Sequence, residues 1–170
     1  MLRAALLVAL LAAPALAQDR AGLEPLLTGF SSQSGEERLA AAYAACLAGD
    51  GGTAATDALF TAAGWERMVE PEMGTVEFTS PDRSLYAMIW DADGFCMVLD
   101  EATGTDAARA VLDRAIAAGG YAPQPVAEPD FCPLLQLKPG LRVELASSGN
   151  DPVCDSADTS GVRFQWEAAG

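Results

Sequence analysis

Apolar residues recur at helical spacing between Ser34 and Gly64. Leu39, Tyr43, Cys46 and Leu47 share one stripe, Ser34 stands ahead of Glu37 as in a capping box, and Gly49 supplies a stop. The spacing predicts a helix whose Cys46 points inward. After Asp50-Gly51-Gly52, Thr53 is placed to cap a second helix with Leu59, Phe60 and Ala63 inside, ended by Gly64. A third helical stripe joins Ala108, Val111, Leu112, Ala115 and Ile116, with Thr105 as its cap and Gly119-Gly120 as its stop. Residues 18–33 have no clear period and contain Pro25, Gly29 and Ser31-Ser32. They read as a loose arm or one short helix.

Elsewhere the period is two. In Thr75 to Thr79, Val76 and Phe78 face one way and Glu77 the other. Leu85 to Trp90 is apolar on both faces, which predicts a central strand. Asp91-Ala92-Asp93-Gly94 then reads as a tight turn into an antiparallel strand from Phe95 to Leu99. Residues 121–130 hold three prolines, Pro123, Pro125 and Pro129, and read as an extended connector. Cys132 to Leu137 and Leu141 to Leu145 flank Lys138-Pro139-Gly140 as a hairpin, and Val162, Phe164 and Trp166 alternate with polar neighbours in a last strand.

Strands with one wet face predict an α+β fold. The expectation is an antiparallel sheet of about five to six strands, covered on one face by about three helices. Residues 34–170 form its single domain.

The first seventeen residues alter the picture. A charged start at Arg3, an apolar run through Leu6 to Leu11, and Ala15-Leu16-Ala17 before Gln18 have the layout of a secretory signal peptide. The run stops well short of the ~20 apolar residues that a spanning helix needs. No later stretch is long and apolar enough either, so the mature chain is expected to be periplasmic or secreted, without a membrane span.

Export gives the four cysteines their reading. None forms a CxxC pair, which disfavours a zinc knuckle or a thioredoxin-like site. Two structural disulfides are expected instead. If the first helix covers the strand face that carries Cys96 and Val98, Cys46 reaches Cys96. Cys132 and Cys154 then close the second bridge.

Among 170 residues there are 24 acids, 10 basic residues and no histidine, for a net charge of −14. That charge repels a phosphate backbone, so nucleic acid is not an expected partner, and a basic protein surface or envelope component is favoured. Without histidine there is no Ser-His-Asp triad, Cys-His dyad or histidine-ligated zinc or haem. No phosphate-cradling glycine motif is present. Carboxylate chemistry remains, as in glycoside hydrolysis, but with this many acids a suitable pair carries no specificity.

No metal or cofactor is expected. Asp91-Ala92-Asp93-Gly94 resembles the middle of an EF-hand loop, yet the first ligand position falls on Ile89, which cannot coordinate. Asn150, Asp151, Asp155 and Asp158 form an oxygen-rich loop that reads as solvated. Met68 and Met73 lack the histidine or free cysteine that soft-metal sites add. Glu66, Glu70, Glu72 and Glu77 read as a solvated acidic face.

Tyr86, Met88 and Trp90 share one face of a strand that is apolar on both sides. Two readings stand. If the helices cover this face, these residues are core. If the helices take the other face, Tyr86 and Trp90 form an aromatic strip suited to a protein or carbohydrate partner. Trp65 and Trp166 are expected in the core. An inward helix Cys46, Gly64-Trp65 at a helix end and a strand Cys96 make the layout similar to that of many small exported bacterial proteins, a resemblance that implies no activity. The sequence therefore points to a non-enzymatic binding or accessory module. The alternative is a carboxylate hydrolase acting on an envelope polymer.

Overall fold

The structure, a computed structural model, describes residues 15–90, 94–128, 132–148 and 153–167. Among the described residues there are four α-helices: α1 (Ala15–Leu27), α2 (Gly35–Gly49), α3 (Thr53–Ala62) and α4 (Thr105–Ala118). The strands are β1 (Glu66–Glu70), β2 (Thr75–Thr79), β3 (Leu85–Trp90), β4 (Phe95–Asp100), β5 (Gln124–Val126), β6 (Leu134–Lys138), β7 (Leu141–Ala146) and β8 (Ser160–Trp166). All eight join one antiparallel sheet in the order β1-β2-β3-β4-β8-β7-β6-β5.

The α+β class and the antiparallel sheet hold. The element counts are corrected: the sheet has eight strands rather than five to six, and there are four helices rather than three. β1 carries charges on both of its faces, so it lacks the alternation that marks a half-buried strand. β5 is three residues long and contains Pro125, which suits an edge and hides it inside the proline-rich connector. α1 occupies part of the segment read as an arm or a short helix. Leu23 is fully buried there, and Gly22 touches α4 so closely that a Cβ would lie 1.9 Å from the Ala118 carbonyl oxygen. Tertiary packing holds a helix that periodicity does not announce.

α2 is enclosed on all sides. Every residue from Leu39 to Leu47 is buried, and the small side chains of Ala40, Ala41, Ala42, Ala44 and Ala45 let α1, α3, α4 and the sheet approach it. Ser34 caps this helix, accepting from the Glu37 N–H at 3.4 Å. The capping box is altered, since the Glu37 carboxylate accepts from the Ser32 hydroxyl rather than the Ser34 N–H. The helix ends at Gly49 as expected, and the left-handed residue that follows it is Asp50, at φ 48°. Gly52 and Gly104, not Thr53 and Thr105, occupy the cap positions of α3 and α4. Thr105 instead donates from its hydroxyl to the Ser156 carbonyl and ties the loop before β8 to α4.

The core lies between the helices and one face of the sheet. Phe78, Leu85, Ala87, Ile89, Cys96, Val98, Val162, Phe164, Leu141, Val143 and Leu145 project into it. At one end Phe60 stacks on Phe78 at 5.0 Å and meets Trp65 at 4.9 Å, and Phe30 closes the cluster edge-on. Trp65 is core as expected. Trp166 is half-buried at the sheet's end, its indole N–H donating to Asp50 at 3.3 Å.

Both disulfides are present with the expected pairing. Cys46 on α2 is bonded to Cys96 on β4, and Cys132 before β6 is bonded to Cys154 in the loop that leads to β8. No described helix is long and apolar enough to cross a membrane.

Candidate functional site

The described helices pack against one side of the sheet. On the other side, register aligns side chains in rows across the strands. The central row runs Met68, Glu77, Met88, Met97, Arg163 and Glu144 across β1, β2, β3, β4, β8 and β7. The row toward the β3–β4 turn runs Glu70, Thr75, Trp90, Phe95, Gln165 and Arg142. The third row sets Glu66, Thr79, Tyr86, Leu99 and Gly161 side by side. β3 and β4 thus place Tyr86, Met88, Trp90, Phe95, Met97 and Leu99 on the side away from the helices.

This patch is packed within itself. Trp90 meets the Phe95 ring edge-on at 5.4 Å, and its indole lies over Gly74 in the β1–β2 turn. The Arg163 guanidinium sits 5.5 Å from the Phe95 ring and 3.8 Å from Glu144, which anchors one border of the patch. Met97 is buried between its in-register neighbours Met88 and Arg163. Tyr86, Met88, Trp90, Phe95 and Leu99 are half-buried and keep part of their surface in water. Burial, and a hydrogen bond to the Glu77 carboxylate, push the Tyr86 phenol above its ordinary range, so it remains a donor. Rings and thioethers that are held in place yet wet on one side suit a contact surface, because little side-chain freedom is left to lose on binding.

The two borders differ in charge. Toward β7 and β8 the charges are paired: Arg142 contacts Glu128 at 2.7 Å and Glu167 at 3.0 Å, and Arg163 contacts Glu144. Toward β1 the face carries Glu66, Glu70 and Glu77, with Met68 between them. The Arg67 guanidinium points to the helix side, where it forks onto Asp57 of α3 and holds that carboxyl below its usual range.

No family model, curated protein or solved structure matches this chain.

Tyr86 and Trp90, singled out from the sequence, lie together on the helix-free face. Phe95, Met97 and Leu99 extend the same patch; the alternation that turns Cys96 and Val98 inward was the signal for them. Two other surfaces bear on chemistry. A groove of about 400 Å³ beside Thr28–Ser31 is lined by Glu37 and Arg114 among small and apolar residues, and Glu37 there is engaged by Ser32. A second, of about 370 Å³, lies between Phe30 and Leu59 and carries no carboxylate. Asp100, the buried carboxylate, lines neither groove; it accepts the Ala102 N–H at 2.7 Å. Among the described residues no group of three acids or cysteines is placed to hold a metal ion. The turn at 91–93, and Asn150 and Asp151 in the oxygen-rich loop, lie outside the described residues.

Proposed function

We propose that this protein is an exported, non-enzymatic binding or accessory module that docks a protein or envelope component on the helix-free face of its sheet. The observation that carries the reading is the patch of Tyr86, Met88, Trp90, Phe95 and Leu99, half-exposed on a face that none of the described helices covers. Supporting features are the signal-like start, the two disulfides and the absence of histidine. Trp90 is the anchor: a large ring held by Phe95, with its remaining surface open to a partner. The net charge of −14 and the Glu66–Glu70–Glu77 border favour a basic partner surface and speed its approach. A carboxylate hydrolase would need two acids flanking a groove, and neither groove beside Thr28–Ser31 supplies such a pair.

The reading is tested by capture from the native envelope fraction with the wild-type protein and with Trp90→Ala. A partner held by the wild type and lost by the folded variant supports it. A partner held equally by both contradicts it.

A further inference from the structure

The two edges of the sheet are built differently. β5 is short, contains Pro125 and follows Pro123, so it offers few free N–H groups. β1 has five residues and no proline, and among the described residues no strand pairs with its outer side. Met68 is 51% exposed on the helix-free face and Val69 43% on the opposite face, and Met73 in the adjoining turn is 62% exposed, so each face of the edge leaves an apolar side chain open. Glu66 and Glu70 flank Met68 on the helix-free face, and Arg67 on the opposite face is already taken by Asp57.

A second copy of this chain fits the edge poorly. Antiparallel self-pairing centred on Met68 would set Glu66 against Glu70 twice, with like charges directly opposite. Two chains of net charge −14 would also repel. An extended segment with basic residues four apart and an apolar residue midway meets each demand, whichever direction it runs: cations against Glu66 and Glu70, an apolar side chain against Met68, and another against Val69.

We propose that the outer edge of β1 takes such a basic extended segment of the partner as a ninth strand. The inference rests on the reading of the protein as a binding module and names the form its partner takes. The main-chain ladder supplies the docking, and the alternate side chains supply the choice of sequence. An added strand would continue the sheet beyond β1, with β1 and β2 between it and the Tyr86–Trp90 patch, so one partner could engage both only through two separate segments.

The probe is a capped peptide, Thr-Lys-Val-Leu-Val-Lys-Thr, added to the full disulfide-bonded protein. Saturable binding with new hydrogen-exchange protection at residues 66–70 is expected. Glu66→Lys with Glu70→Lys, both on the surface, should weaken it by roughly tenfold or more, and the same peptide with Glu in place of Lys should prefer that variant. The proposal is overturned by no saturable binding, by binding that leaves residues 66–70 unprotected, or by unchanged preference in the charge-reversed pair. It is also overturned by a concentration-dependent dimer protected at β1, which would make a second copy the occupant. A partner captured through Trp90 while the peptide fails leaves the module reading standing without the edge. A peptide that binds β1 when no capture depends on Trp90 does the reverse.

Discussion

Cys46, in the middle of α2, is bonded to Cys96 on β4 with their Cα atoms 5.6 Å apart. This bond joins the helix layer to the inward side of the central sheet. Cys96 shares its face with Val98 and, across the register, with Ile89 and Phe164. Side chains of opposite parity, Tyr86, Met88, Trp90 and Phe95, therefore turn away from the helices. The bond thus marks the face that is core and, by alternation, the face that is left open.

Removing that link should loosen the whole fold. The bond closes a loop of sequence separation 50, for which chain entropy assigns about 4 kcal/mol, against roughly 3.4 kcal/mol for the separation of 22 between Cys132 and Cys154. Cys46→Ser with Cys96→Ser should lower stability in urea unfolding more than Cys132→Ser with Cys154→Ser. The opposite order would mean that the second loop carries more native structure than its length implies.

α1 packs against α2 and α4. Its Gly22 abuts Ala118 of α4, so a methyl group there must push the two helices apart. Gly22→Ala is expected to cost about 1–3 kcal/mol, the usual range for overpacking a close contact. An unchanged unfolding midpoint would show that α1 is not docked in solution.

Tyr43 offers a contrary sign. It is fully buried on α2, and its hydroxyl faces Ser160 without reaching hydrogen-bond geometry. A buried hydroxyl without a good partner costs free energy, so Tyr43→Phe should be neutral or stabilising, within about 1 kcal/mol. A loss well beyond that would reveal a bond made by the hydroxyl.

Both Tyr43 and Tyr86 hold their protons more tightly when folded, Tyr43 through burial and the nearby Asp100, Tyr86 through burial and Glu77. The unfolded phenols ionise near 10.0, before the folded ones, so this contribution is intact below pH 10.0 and is lost as pH rises above it. Melting temperature should fall from pH 9 toward pH 12, roughly, and fall less steeply in Tyr43→Phe. A flat profile over that interval would contradict the buried, protonated state.

The sequence carried α2, α3 and α4, the inner strands and both disulfides because strong periods and an oxidised pairing leave few arrangements. β1 escaped because Glu66 to Glu70 must tolerate water on both faces, which erases a period of two. β5 escaped because Pro123 and Pro125 read as breakers when they in fact blunt an edge. α1 escaped because Gly22 and Pro25 interrupt its stripe, while contacts from α2 and α4 hold it. For Tyr86 and Trp90 the local pattern is apolar on both faces, so tertiary packing of the helix layer on Leu85, Ala87 and Ile89 decides their side. The charge asymmetry between the two borders depends on which strands neighbour β2 and β8, and that is a property of topology.

The central claim is that the face bearing Tyr86 and Trp90 meets a partner. The most direct measurement places a photo-crosslinking residue at Met88, on that face, or at Asp113, on the outer side of α4, and exposes the protein to light in its native compartment. The account predicts a discrete adduct from Met88, none from Asp113, and loss of the Met88 adduct when Trp90→Ala is added to a protein that still folds with both disulfides formed. Adducts of equal yield from both positions, or a Met88 adduct indifferent to Trp90→Ala, would contradict it.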